Sequence, residues 1–240
     1  ERQRATIGGE LIGAQPVLAD DDRIGGDRAH LLDKVCEMEG DLHIARLEAG
    51  FRRSDGMSLA EAQQVYGPVP DKKFAIPAAD VTKVDRKYWR RTVRYETKEE
   101  PGTIIVDPAN YYVYRIEGGG NATRYGANVG RDGFRWNGDA YVGRKSEWAT
   151  WTPPPEMIKR QPEAAKYARG MPGGLDNPLG ARTLHLYQNG RYTLYTIYAS
   201  SDEQSIGSGI TSGCVGLLSQ DMIDLYDQTP VKTKVVVLPA

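Results

Sequence analysis

The sequence predicts a mainly β fold with short helices, preceded by a chemically quieter N-terminal extension. Three observations carry that reading. The chain is rich in turn and strand formers, with 27 Gly, 14 Pro and 14 Tyr. From Thr103 onward, short β-branched and aromatic runs alternate with tight turns. Asn189-Gly190 lies between two such runs, RTLHLYQ and RYTLYTIYAS. That is a type I′ hairpin signature, because both turn positions need positive φ.

Taken in order, residues 1–67 form the extension and are partly helical. DRAHLLDKVCEMEG, from Asp27, sets Leu31, Leu32, Val35, Cys36 and Met38 at near-helical spacing. LAEAQQVY, from Leu59, reads as a second short helix. Residues 68–101 form an extended linker expected to pack on the following domain. PVPDKKFAIPAADV holds three prolines and runs extended, and the alternation around Val93 is too short to define a strand.

The domain proper spans 102–240. TIIVD, YYVYRIE and ATRYGANVG read as three strands, the last two joined by Gly118-Gly119-Gly120-Asn121. Strands this short with tight turns favour an antiparallel sheet or sandwich. KSEWATWTPPPEMIKRQPEAAKYARGMPGGLDNPLG then leaves the sheet with six prolines. It carries about one helix, over 154–168, and has the character of a functional lid. SQDMIDLYD reads as a helix with Ser219 as N-cap and Asp221 in its first turn. KTKVVVLPA closes the domain as a strand.

Composition excludes several classes. Net charge is −1, from 31 basic and 32 acidic residues, so no global field points to nucleic acid or an anionic membrane surface. No apolar run approaches the roughly 20 residues of a membrane-spanning helix. The opening ERQRATIGGELIG lacks the basic-then-apolar form of a secretory signal. Two cysteines, Cys36 and Cys214, are too few for a disulfide scaffold. Cys36, on an apolar helical stripe, reads as a small buried hydrophobe. No His/Cys/Asp/Glu spacing marks a zinc site, and no cofactor is implied.

The chemical centre is Thr211-Ser212-Gly213-Cys214-Val215-Gly216-Leu217. A thiol beside glycines leaves room for a substrate backbone, and backbone N–H groups in such a loop can face a developing oxyanion. A structural cysteine in a glycine-rich strand is the other reading of these residues alone.

The sequence resembles the L,D-transpeptidases of the YkuD type from about Pro68 to Leu238. The resemblance rests on PGTIIVDPAN, RYGANVGRDGFRWNGDAYVGRKSEWATWTPPPEMI, MPGGLDNPLGARTLHLY and SIGSGITSGCVGLLSQDMIDLYDQTPVKTKVVVL. It implies a β-sandwich-like catalytic domain, with Cys214 as the nucleophile of an acyl transferase. The implied partner is the peptidoglycan stem peptide, in the periplasm or cell envelope, and residues 1–67 are open to other envelope proteins.

This sequence departs from the family pattern at three positions. The family's His-Gly pair is here Tyr198-Ala199. Its Arg two residues after the nucleophile is here Gly216. Ser212 stands where His is frequent, though many members carry Ser. The first departure touches mechanism. A free thiol has a pKa near 8.5 and an imidazole ordinarily takes its proton, whereas Tyr, with a pKa near 10, is a poor base at neutral pH. The catalytic role open to Tyr198 is that of a hydrogen-bond donor, as to an oxyanion, without the proton relay.

His185 is the candidate substitute. Read from an unbroken two-residue hairpin, Gln188 pairs with Arg191 and Leu194 faces His185. Tyr198 then lies on the same face roughly 13 Å away, at about 3.3 Å per residue. A packed or solvated strand histidine is the competing reading of His185, and His30 and His43 read as surface residues.

Substrate-binding candidates are Ser212, Gly213, Arg182, Tyr125 and Trp148. Arg131, Trp136, Lys145, Trp151 and the Met171–Gly174 loop are weaker ones. Core packing and solvated surface are the plain alternatives for these. Two functions follow: a Cys214-dependent acyl transferase, or a catalytically impaired relative kept as a wall-binding or assembly module.

Overall fold

A computed structural model of the protein describes residues 57–131 and 136–240. The Cys36 stripe, His30 and His43 lie outside the described residues. Ten strands are formed among them: β1 Arg91–Arg94, β2 Ile104–Asp107, β3 Tyr112–Gly118, β4 Asn121–Gly130 and β5 Gly138–Glu147. The rest are β6 Arg182–Gln188, β7 Arg191–Ser200, β8 Gly209–Thr211, β9 Val215–Leu218 and β10 Lys234–Val237. The helices are α1 Leu59–Val65, α2 Pro155–Arg160 and α3 Ser219–Asp227.

The strands form one sheet in the order β1-β4-β3-β2-β10-β5-β6-β7-β9, with β9 returning to β4. The sheet therefore closes on itself into a sandwich-like body. The long β4 makes closure possible. One of its edges carries β3, and the other carries β1 along Asn121–Arg124 and then β9 at Ala127 and Asn128. Pairing is mixed rather than wholly antiparallel. The β10–β2, β7–β9 and β4–β8 pairs are parallel. Strands enclosed on both faces read as unbroken apolar runs, as in Ile104-Ile105-Val106 and Val215–Leu218, all buried.

The main core fills this closed sheet. Ile104, Val106, Tyr125, Leu184, Leu186, Ile197 and Leu217 meet Met222 and Leu225 of α3 there. A second cluster holds the segment before β1 in place: Ala62, Tyr66, Val81, Val84, Tyr88 and Trp89 pack with Ile206 and Leu218. The helix α1 begins with a capping box between Ser58 and Glu61, which satisfies two backbone donors reciprocally.

Four sequence expectations are corrected locally. Val93 does lie in a strand, the short edge strand β1. The helix expected over 154–168 is two pieces, α2 and a 3-10 segment Pro162–Tyr167. Gln161 takes φ −135° between them, since a residue before proline is pushed out of helical conformation. Ser219 is the first helical residue and not a cap, because Leu218 holds the N-cap position without a side-chain bond. The β6–β7 hairpin begins as expected, with Asn189 and Gly190 at φ 50° and 75° and Gln188 opposite Arg191. It then bulges. His185 faces Thr196, and Thr183 faces Tyr198. Leu194, at φ 69°, absorbs the extra chain and turns outward.

A buried charge network ties the leading segment to α3. The Arg90 backbone N–H donates to Tyr66 Oη at 2.6 Å, and that hydroxyl donates to Asp221 Oδ2 at 3.1 Å. Arg90 pairs with Asp224 at 2.8 Å and more distantly with Asp221 at 3.6 Å. Tyr125 Oη donates to the other oxygen of Asp224 at 2.7 Å. Complete burial pushes the Asp221 carboxyl up to about 7 against the pull of Arg90.

The sign of the pH effect follows. The folded state holds a proton on Asp221 that the unfolded chain, with an ordinary pKa of about 3.9, has already released. Stability from this group is present at low pH and is lost as pH rises toward 7. Urea unfolding of the parent and of Asp221→Asn should show the variant gaining on the parent between pH 4 and pH 8. The expected gain is on the order of 1 kcal/mol or more. A pH-independent difference would remove Asp221 as a titrating group.

Candidate active site

Cys214 sits at the entry to β9, half-buried and with a free thiol. Its loop is pinned by one side chain. Thr211 Oγ1 accepts from the Gly213 N–H at 3.2 Å and donates to the Cys214 carbonyl at 2.6 Å. Gly213 adopts φ 117°, a conformation that a residue with a Cβ strongly resists. Ser212 is exposed on the outside of the turn.

From there β9 runs parallel to β7, with Val215 beside Ile197 and Gly216 beside Tyr198. Extending that register by one residue sets Cys214 beside Thr196. The Thr196 backbone N–H faces the sulfur and favours its ionised form, but burial dominates and pushes the thiol up. The carbonyl of Leu194, raised by the bulge, lies 4.0 Å from Sγ.

Tyr198 shares this neighbourhood. Burial, and the charge a Cys214 thiolate would bring, push its hydroxyl up to about 12. It donates to Asn128 Oδ1 at 3.4 Å. The same Oδ1 accepts the Gly216 N–H at 2.8 Å. Gly216 has no room for a side chain: a Cβ there would lie 2.3 Å from Asn128 Oδ1.

His185 lies one strand further away, in a polar cluster behind Thr196. Its Nε2 is 3.2 Å from Arg144 Nη2, 3.2 Å from Thr183 Oγ1 and 3.3 Å from Ser146 Oγ. Its Nδ1 is 3.5 Å from both Tyr192 Oη and Thr196 Oγ1, and those two hydroxyls are 2.7 Å apart. Burial and the Arg144 charge hold the ring down to about 4, so it is neutral at physiological pH.

The remaining sequence candidates are dispersed. Tyr125 is fully buried and committed to Asp224, with no surface left to meet a substrate. Arg182 and Trp148 converge on Asp71, at 2.5 Å and 3.0 Å. They brace the extended segment against the domain, and that contact holds the Asp71 carboxyl down near 2. Lys145 donates to the Tyr226 carbonyl at 2.6 Å. Trp151 and Met171 form the bridge at the base of the long excursion.

Trp136 is the tryptophan that lines a groove together with Gly213, the residue before the cysteine. It stacks on Tyr195 at 5.4 Å and 27°. The pair walls this shallow groove with Val129, Thr196, Gly213 and Val215. Thr196, Tyr195 and Asn128 were not singled out by sequence. They are ordinary strand residues until the pairing of β7, β9 and β4 is known. Among the described residues no group of three or more His, Cys, Asp or Glu is placed to hold a metal.

The family model and the curated relatives carry one label, and one similar solved structure carries another. A family model described as the YkuD L,D-transpeptidase catalytic domain matches residues 101–237. The probable L,D-transpeptidase ErfK/SrfK of Escherichia coli K12 is 35% identical over 101 residues, covering 40% of this chain and 30% of that protein. The probable L,D-transpeptidase YbiS of the same organism is 35% identical over 95 residues, covering 39% and 29%. A crystal structure from Brucella melitensis, titled as a probable carnitine operon oxidoreductase, is 37% identical. It covers 66% of this chain and 99% of that one, with a TM-score of 0.45. The matched stretches span from 29% to 52% of the curated relatives' length.

Because burial raises the thiol, alkylation of Cys214 by iodoacetamide should accelerate about ten-fold per pH unit, following the thiolate fraction. No plateau is expected below pH 9. A plateau near neutrality, read by peptide mass spectrometry, would mean an activated thiolate and a partner base.

Proposed function

The chain belongs to the YkuD-type L,D-transpeptidase catalytic-domain family, and from that premise we propose that it is a peptidoglycan L,D-transpeptidase whose nucleophile is Cys214. The observation that supports the reading most is a free, half-buried thiol at a glycine elbow beside an aromatic-walled groove. The donor is a stem peptide of the cell envelope, with its acyl carbonyl on the L-centre of a diamino acid.

Sulfur attacks that carbonyl carbon. The carbon–nitrogen bond breaks, the thiol proton leaves with the departing amine, and a thioester remains. An acceptor amine then attacks the thioester and restores the thiol; water in its place gives hydrolysis. Splitting acyl transfer into two steps is what a covalent nucleophile contributes. The Thr196 N–H facing the sulfur supports negative charge there. Neither Tyr198, held near 12, nor His185, held near 4, is a competent base at neutral pH. The departing amine, and not a side chain, is therefore the proton's destination in this scheme.

A carbapenem, used as an acyl donor, should add one adduct at Cys214 and none at Cys36. Cys214→Ala should lower transpeptidation by at least about 10³-fold, with an unchanged melting temperature. Absence of a carbapenem adduct at Cys214 would instead assign the domain to wall binding. Unfolding of Cys214→Ala would make the cysteine structural.

A further inference from the structure

Asn128 lies on β4 where β9 closes the sheet, with 1% of its surface exposed. All of its hydrogen-bonding capacity is engaged. Oδ1 accepts from the Gly216 N–H at 2.8 Å and from Tyr198 Oη at 3.4 Å. Nδ2 donates to Ser205 Oγ at 2.7 Å and faces Ser200 Oγ at 3.5 Å. A primary amide has two donors and two acceptor lone pairs, and here the partners come from three segments: Tyr198 and Ser200 on β7, Gly216 on β9 and Ser205 in the turn between β7 and β8.

We propose that Asn128 is a positioning residue for the thiol chemistry. It locks the backbone two residues past Cys214 and the ring of Tyr198 into one unit, and it fills the volume that a side chain at 216 would otherwise occupy. The proposal rests on the reading of Cys214 as nucleophile. Three observations converge on it. A Cβ at Gly216 would meet Asn128 Oδ1 at 2.3 Å and Cγ at 2.9 Å, so the two positions are sterically exclusive. The Gly216 N–H is buried and takes Oδ1 as its acceptor, and a buried donor left unpaired is costly. The Tyr198 proton is directed to the same oxygen. Burial, and not this contact, is what keeps the phenol protonated; the contact fixes where its ring lies.

Tyr at 198 and Gly at 216 are then parts of one arrangement, not two. Tyr198, Gly216 and Asn128 form an interdependent set, and Asn128 is the member that touches both others. A short buried amide with four partners cannot swing aside as a surface side chain would.

The test compares Asn128→Ala, Gly216→Ala, the double variant and Val142→Ala. Val142 is fully buried in the core and serves as a destabilised control remote from the thiol. Two rates are read at Cys214, well below each melting temperature: iodoacetamide alkylation from pH 6 to pH 10, and carbapenem acylation. Asn128→Ala should release the loop. Alkylation at pH 7 then rises and acylation falls, each by about 10- to 100-fold, since small misplacements carry penalties of that size. Gly216→Ala displaces the same amide and should act alike. The double variant should be no worse than either single, the mark of coupled positions. Val142→Ala should move neither rate.

The proposal is overturned if Asn128→Ala leaves both rates unchanged, if the two single effects multiply in the double variant, or if Val142→Ala reproduces the split. Should Asn128→Ala not fold, Gly216→Ala carries the same comparison. Wild-type protein that takes no carbapenem, while the alkylation rates shift as expected, would retain the positioning role and remove the acyl-transfer reading.

Discussion

The arrangement depends on one seam, where β9 is laid between β7 and β4. Four residues, Val215 to Leu218, carry it, and all are buried. On one side they pair in parallel with β7 from Ile197 to Ser200, and on the other they meet Ala127 and Asn128 of β4. A strand held on both edges has its register fixed. The residue at its entry, Cys214, is therefore delivered to one place. The glycine elbow at 213 and the Thr211 staple turn the chain into the seam, and α3 leaves from its far end to cover the core. The leading segment reinforces this from outside through Arg90, Tyr66 and the two aspartates of α3.

The seam also sets the electrostatic character of the site. It is built from neutral groups. Burial raises the thiol and the Tyr198 hydroxyl and lowers the His185 ring. A thiolate paired with an imidazolium would be a charged resting state, stable only if the protein solvates both ions. Here the nearest arginine to the imidazole, Arg144, works against a second positive charge. Thr196 separates that imidazole from the sulfur. With strands about 4.8 Å apart, two steps across the sheet put the backbones of His185 and Cys214 roughly 10 Å apart, and the ring is already engaged with Ser146 and Thr183. The site is suited to holding a neutral thiol at rest.

Much of this was legible in the sequence, and the boundary between legible and illegible has a physical cause. Local chemistry was readable: Asn189-Gly190 set the hairpin, the apolar runs set the strands, and the glycines around Cys214 marked the elbow. Features that depend on distant pairing were not. The bulge at Leu194 moved His185 from opposite Leu194 to opposite Thr196, and nothing within RYTLYTIYAS announces it. Thr193 stabilises the bulge by bonding the Leu186 carbonyl and the Tyr195 N–H, in a residue type that is equally at home in a regular strand. Arg182 and Trp148 looked like cleft residues because their common partner, Asp71, lies more than seventy positions earlier in a proline-rich stretch.

Asn128 shows why such a residue escapes a linear reading and yet decides the local geometry. Within GANVG it is one polar residue in an otherwise apolar stretch, and on its own it weakens the case for a buried strand. Closure of the sheet supplies a backbone donor at Gly216, a phenol at Tyr198 and hydroxyls at Ser200 and Ser205 within reach of its amide. Each of those groups would be costly to bury alone. Met together by one amide they stabilise the seam, and they do so only when position 216 has no side chain. A glycine two residues past Cys214 is then a requirement of the neighbouring strand, set by what β4 needs to bury and not by flexibility at the cysteine.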